Sequence, residues 1–132
     1  MNFFPAQIQK TDGKLFVDTG DFQVEIPKGK AGIYEQHTNK EVAFGIRPED
    51  IYNPEFPSPG IQAASVNCKV DLLELIGDEI YVYLMAGMKD LVARVDPRSK
   101  YKVGEKARVA FDMSNFHIFD VNRNPENPED LR

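Results

Sequence analysis

Three observations predict that this sequence folds as an all-β domain. Apolar residues recur with a period of two, not the roughly 3.6 of a helix, over most of the chain. Gly, Asp and Pro fall between the alternating runs, where strands must reverse. The 132 residues, 42% hydrophobic and 28% charged, are enough to bury about two thirds of the unfolded surface in an ordinary core.

Each element follows from local chemistry. Lys14 to Asp18 and Phe22 to Ile26 flank Thr19-Gly20-Asp21 and read as a hairpin, and Pro27 through Gly32 is expected to be a loop. Val42 to Ile46 is strand-like and ends at Arg47-Pro48. Between Ile51 and Ile61, Pro54, Pro57, Pro59 and Gly60 make a connector that cannot be a central strand. From Ser65, Val66, Cys68, Val70 and Leu72 share one face, while Asn67, Lys69 and Asp71 share the other. The alternation breaks at Leu73, as a bulge would make it do, and Gly77-Asp78 reverses the chain before Glu79. Ile80, Val82 and Leu84 then alternate with Tyr81, Tyr83 and Met85, and Gly87 turns into Asp90 to Val95, completing a meander. Pro97-Arg98-Ser99 ends that strand, Val103-Gly104-Glu105 turns into Ala107 to Asp112, and His117 to Phe119 is a short last strand. About eight to ten short strands with little helix suggest a small OB-like barrel. Residues 1–120 form this region, as one body or as two β-subdomains joined near 52–61 that share a core, and 121–132 is a polar tail.

Charge narrows the function. Sixteen basic against twenty-one acidic residues leave a net charge of −5, which argues against sequence-independent nucleic-acid binding. The nine Phe and five Tyr have no Lys/Arg track beside them, so core packing is favoured over base stacking. The single cysteine, Cys68, cannot form an internal disulfide, and a reducing cytosolic setting is the default. No apolar stretch approaches the roughly 20 residues of a membrane-spanning helix. The start, MNFFPAQIQK, lacks the charged leader and apolar run of a signal peptide.

The sequence carries few signs of catalytic chemistry. A phosphate loop needs G-x-x-x-x-G-K-S/T, but Gly13-Lys14 is followed by Leu15 and Gly29-Lys30 by Ala31. No G-x-S-x-G elbow is present, and Cys68 lies on the apolar face of its strand, as a structural thiol would. His37 and His117 have no metal-ligand spacing, and His117 is expected to hydrogen-bond at a strand end. Three carboxylate pairs occur, Glu49-Asp50, Asp78-Glu79 and Glu129-Asp130, each read as turn or helix-start charge. In GIRPEDI, residues 45–51, Pro48 keeps Arg47 extended and suits the first position of a helical turn, with Glu49 and Asp50 near its positive end.

With its neighbours, this stretch resembles the C-terminal regulatory region of ATPase subunits from carbohydrate ABC importers, an OB-like domain often called TOBE. MNFFPAQI at 1–8 resembles the junction that follows the nucleotide-binding domain, and GIRPED at 45–50 resembles the best-known internal motif. LLELIGDEIYVYL at 72–84 resembles the central hairpin, and the run from Leu91 to Asp120 resembles the closing strands. The order and spacing of the four segments look closest to multiple-sugar and maltose-type importers. The resemblance implies a regulatory and dimerisation role on the cytoplasmic side, with four partners: the ATPase module, a second copy, the membrane permease through that module, and a regulatory protein. It implies no cofactor for this chain, with ATP and Mg in the parent subunit. The Walker and signature motifs of the ATPase half are absent, so Met1 is read as the start of an excised or truncated product. The tail after Asp120 also lacks a glycine that many relatives carry.

The residues singled out have structural or contact roles: Gly45 for backbone geometry, Arg47 for an ion pair, Pro48 and Glu49 for the turn, Gly77 and Glu79 for the hairpin, and His117 for a polar strand-end contact. No catalytic or metal-binding residue is assigned. The main alternative is a free-standing binder of small ligands or oxyanions, using backbone amides near Gly29 to Gly32 or Ser58 to Gly60. A nucleic-acid-binding OB-fold comes third and an independent enzyme last.

Overall fold

The computed structural model describes residues 1–57, 63–120 and the backbone of Glu129–Asp130. Among them the chain forms β1 (Asn2–Thr11), β2 (Lys14–Asp18), β3 (Gln23–Glu25), α1 (Lys28–Tyr34), β4 (Glu41–Ile46) and β5 (Ile51–Tyr52). It continues with β6 (Ala63–Ile76), β7 (Glu79–Ala86), β8 (Lys89–Val95), β9 (Lys106–Asp112), β10 (His117–Asp120) and β11 (Glu129–Asp130). Two antiparallel sheets result, ordered β11-β10-β4-β1-β2-β3 and β5-β9-β6-β7-β8. The expected all-β, OB-like architecture is what forms.

The meander expected from the sequence is β6-β7-β8, and its two reversals fall on Gly77 and Gly87, at φ of 60° and 61°. Side chains with a Cβ rarely adopt that left-handed region, so glycine chemistry fixes both turns. The bulge comes slightly earlier than expected: the β6–β7 register shifts between Val70 and Leu72. The extra residue rotates the strand, so Leu72 joins Tyr83 on the outer face and Leu73 takes the inward place. Leu72, expected inside with Val70, is 52% exposed.

Two other segments differ from expectation. Pro27 through Gly32 was expected to be a loop, but Lys28–Tyr34 is helical, with Lys30 N and Ala31 N donating to Pro27 O. Gly29 and Gly32 disfavour a helix by about 1 kcal/mol each. Burial of Tyr34 against Phe116, ring centroids 5.7 Å apart, offsets that local preference. The ten-residue strand β1 is absent from the sequence reading, although Asp12-Gly13, at φ of 52° and 78°, marks its turn into β2. Its Phe4, Ala6 and Ile8 point inward. Pro5 is tolerated because β2 joins β1 only from Gln7 onward, leaving the Pro5 stretch paired to β4 alone.

One core joins the sheets. Phe44 of β4 lies between Phe4, Phe111 and Phe116, with ring centroids 6.0–6.2 Å away, and all four rings are 1% exposed or less. The core packing expected for the aromatics therefore holds for these rings. Polar stitches reinforce the seam. Asn2 of the first sheet uses its amide as a strand would, accepting from Val92 N at 2.8 Å and donating to Val92 O at 2.9 Å. The Asp21 carboxylate accepts from Met88 N at 3.0 Å, tying the β2–β3 turn to the β7–β8 turn.

Candidate functional site

The GIRPED corner is built where three strands of the first sheet reach the same level. Phe3 of β1, Gly45 of β4 and His117 of β10 are register partners, so their outer faces align. Gly45 is buried beneath its neighbours: a Cβ there would stand 2.8 Å from Met1 Sδ and 3.2 Å from the rings of Phe3 and Phe119. Close aromatic approach, not an unusual backbone angle, is what requires glycine. Arg47 is extended, at φ −78° and ψ 152°, and Pro48 opens a one-turn 3-10 helix, Pro48–Asp50, as the sequence predicts. That turn delivers the chain to β5, whose Ile51 amide bonds back to Pro48 O.

Arg47 meets His117 at the corner, Nη1 to Nε2 at 3.1 Å. A guanidinium has only donors, so in this contact Nε2 is the acceptor. His117 is 8% exposed and stacks on Phe119, with centroids 6.0 Å apart and planes 15° from parallel. Among the described residues Arg47 makes no ion pair of the kind expected, and its polar contact is with the His117 ring. Glu49 is exposed on the turn.

Behind the turn lies a polar cluster that sequence reasoning missed. Asn115 Nδ2 donates to Asp112 Oδ2 at 3.0 Å and to Asp50 Oδ1 at 3.3 Å, and Ser114 N donates to Asp112 Oδ1 at 3.0 Å. Partial burial lifts the Asp50 carboxyl above its usual range; Asp112 and Glu49 add to this, while Asn115 and Arg47 oppose it. Asp50 and Asp112 are sixty-two positions apart, so only the fold could reveal this pairing. The fragment Asp112-Met113-Ser114-Asn115 is nonetheless a turn signal that was available in the sequence.

The structure brings Gly45, Arg47, Pro48, Glu49 and His117 to one corner. It leaves Gly77 and Glu79 on the long hairpin of the second sheet, where Glu79 accepts from Tyr81 Oη at 3.0 Å and faces Arg94 at 3.5 Å. Cys68 is 6% exposed, and burial pushes its thiol up to about 12, far from a reactive thiolate. Among the described residues no group of three His, Cys, Asp or Glu is placed to hold a metal. The Gly29 to Gly32 amides considered as anion donors lie in α1, where two neighbouring amides are already bonded to Pro27 O. Ser58 to Gly60 lies outside the described residues. Beside the corner, Phe3, Pro5 and Gln7 of β1, with Glu41 and Ala43 of β4, border a mainly apolar groove of about 650 Å³.

Fold and corner together define an OB-like β-domain. A family model described as the MalK OB fold domain matches residues 1–51, and one described as the TOBE domain matches residues 44–119. The chain belongs to the TOBE domain family. Its relatives include the oligosaccharides import ATP-binding protein MsmX of Bacillus subtilis, 36% identical over 122 residues, which are 91% of this chain and 32% of that protein. The multiple sugar-binding transport ATP-binding protein MsmK of Streptococcus mutans is 35% identical over 92% of this chain and 32% of its own length. The trehalose/maltose import ATP-binding protein MalK of Thermococcus litoralis is 33% identical over 91% of this chain and 32% of its own length. The chain therefore spans about a third of the length of the curated relatives it matches. Among solved structures, the molybdate-bound form of the cytoplasmic molybdate-binding protein ModG aligns with a TM-score of 0.62 at 13% identity, covering 89% of this chain and 94% of that one. At that identity the likeness is one of fold.

Proposed function

We propose that this chain is the regulatory and dimerisation domain of the ATP-binding subunit of a carbohydrate ABC importer. The observation that carries the reading is that two family models, one for the MalK OB fold and one for the TOBE domain, tile residues 1–119 in order. Sugar-importer ATP-binding proteins also align to about nine tenths of the chain. ATP and Mg belong to a separate ATPase module of the same subunit, and this chain contributes no catalytic or cofactor-binding residue. Its partners are that module, a second copy of the subunit, a regulatory protein and, through the module, the membrane permease. It works on the cytoplasmic side of the membrane.

The mechanism is coupling by contact. Two copies meet through these domains, and whatever stabilises or separates them biases the ATPase pair between its conformations. Gly45, Pro48 and Gly77 fix backbone geometry, Arg47 and His117 hold the corner through their mutual contact, and Glu49 and Glu79 leave carboxylates on the surface. The test joins the domain to a matching ATPase module in a transport-competent complex and then deletes it. Loss of assembly, or loss of control over transport, is expected; unchanged assembly and transport would end the reading. An oxyanion-binding role has only the ModG fold in its favour, and submillimolar binding of molybdate or phosphate in calorimetry would be needed to revive it.

A further inference from the structure

The outward face of the second sheet is graded in charge along β6. Before the bulge, Asn67 and Lys69 point outward and stand directly opposite Arg108 and Lys106 of β9. Beyond it, Leu72, Glu74 and Ile76 point outward opposite Tyr83, Tyr81 and Glu79 of β7. The strand therefore carries a basic half and an acidic half, with apolar side chains where they join.

Among the described residues each half carries charge that no ion pair answers. Lys69 and Lys106 are exposed cations in directly opposed positions, an arrangement that is unfavourable across a strand pair. Among the described residues neither makes an ion pair, although Asp71 lies beside them at the bulge. Glu74 is steadied by the Tyr83 hydroxyl at 3.2 Å but faces no cation among the described residues, whereas Glu79 has Arg94. Leu72 and Ile76, on this same face, are 52% and 53% exposed, large apolar side chains that solvation alone does not favour.

We propose that this face is where two copies of the chain meet, about a two-fold axis that crosses β6 at the bulge. Such an axis runs β6 of one copy antiparallel over β6 of the other. The Lys69 end then covers the Glu74 end in both directions, and the two Leu72 side chains meet near the axis. The charge pattern is self-complementary only in this orientation; an axis along the strand would set lysine over lysine. A two-fold contact also closes on itself, where a head-to-tail match of the same charges would grow into a filament. The face runs about 30 Å from Asn67 to Ile76 and is three strands wide, smaller than a standard permanent interface, so the contact is weak and sensitive to salt. Such a contact can open and close within a subunit pair held together elsewhere. The inference rests on the dimerisation reading and deepens it by naming the surface.

Sedimentation equilibrium of the full chain, at low ionic strength and up to about 1 mM, tests the proposal. The mass should approach that of two copies and fall back as salt is added. Lys69→Glu and Glu74→Lys should each weaken association about tenfold or more, and the two together should restore it to within about threefold of the parent. Both positions are exposed, and a thermal melt of each variant checks that folding is kept. A dimer indifferent to the reversals, or weakened further by combining them, would overturn this face while leaving dimerisation itself standing. Loss with Lys69→Glu but not with Glu74→Lys would overturn the proposal in favour of an acidic partner of another kind. A monomer at every concentration would count against both the face and the dimerisation reading.

Discussion

The two sheets share one core but treat their outer faces in opposite ways. On the first sheet, cross-strand neighbours close over the smallest residue: Met1, Phe3 and Phe119 surround Gly45, and His117 lies flat on Phe119 with Arg47 at its edge. On the second, the bulge turns Leu72 outward, and the hairpin beyond it carries unopposed charge and exposed leucine and isoleucine. Antiparallel sheets with one face in a core leave the other free for either use. A face that satisfies itself supports local structure, whereas one left unsatisfied is available to a partner.

The substitution with the largest expected effect asks whether the two sheets are one folding unit. Phe44→Ala removes the ring at the centre of the shared aromatic cluster and should cost about 3–5 kcal/mol, lowering the denaturation midpoint in urea. Probes in both sheets should still unfold together; separate transitions would divide the molecule into two independent halves.

The seam is the next point to break. Asn2→Ala removes the amide that pairs with both backbone groups of Val92, and should cost about 1–3 kcal/mol while speeding hydrogen exchange along β8 more than along β4. Uniform acceleration in both strands would mean that Asn2 does not act as a local stitch.

At the corner, a double-mutant cycle with Arg47→Ala and His117→Phe should give a coupling of about 0.5–1.5 kcal/mol. Zero coupling would leave Arg47 with no role in holding its own corner. That outcome would move the first sheet's face closer to the open character of the second.

The smallest effect concerns pH. Asp50 has its carboxyl raised above 3.8, chiefly by burial. A folded value above the unfolded one means that its contribution is fully present below the unfolded value and is lost as pH rises through the folded one. At neutral pH the ionised carboxylate is a small debit. Asp50→Asn should therefore be more stable than the parent at pH 7 by a few tenths of a kcal/mol, since much of the group is solvated. The difference should vanish as the medium is acidified below 3.8, and a gap that widened instead would reverse the sign assigned to Asp50.

What the sequence determined by itself was whatever depends on near neighbours. The two-residue period of Ile80, Val82 and Leu84 sets β7, the glycines at 77 and 87 set its turns, and Arg47-Pro48 sets the extended-then-helical step of the corner. These follow from sterics and side-chain alternation within a few residues. The tertiary structure decided the rest, because the forces involved act between distant parts of the chain. Burial of Tyr34 makes a helix of a segment whose own glycines disfavour it. Asn2 finds Val92 ninety positions away, and Asp50 finds Asn115 sixty-five away. The bulge beside Asp71 was nearly legible as a break in alternation, but only pairing with β7 fixed its position and so decided which leucine faces outward. That one-residue difference separates a buried side chain from an exposed one.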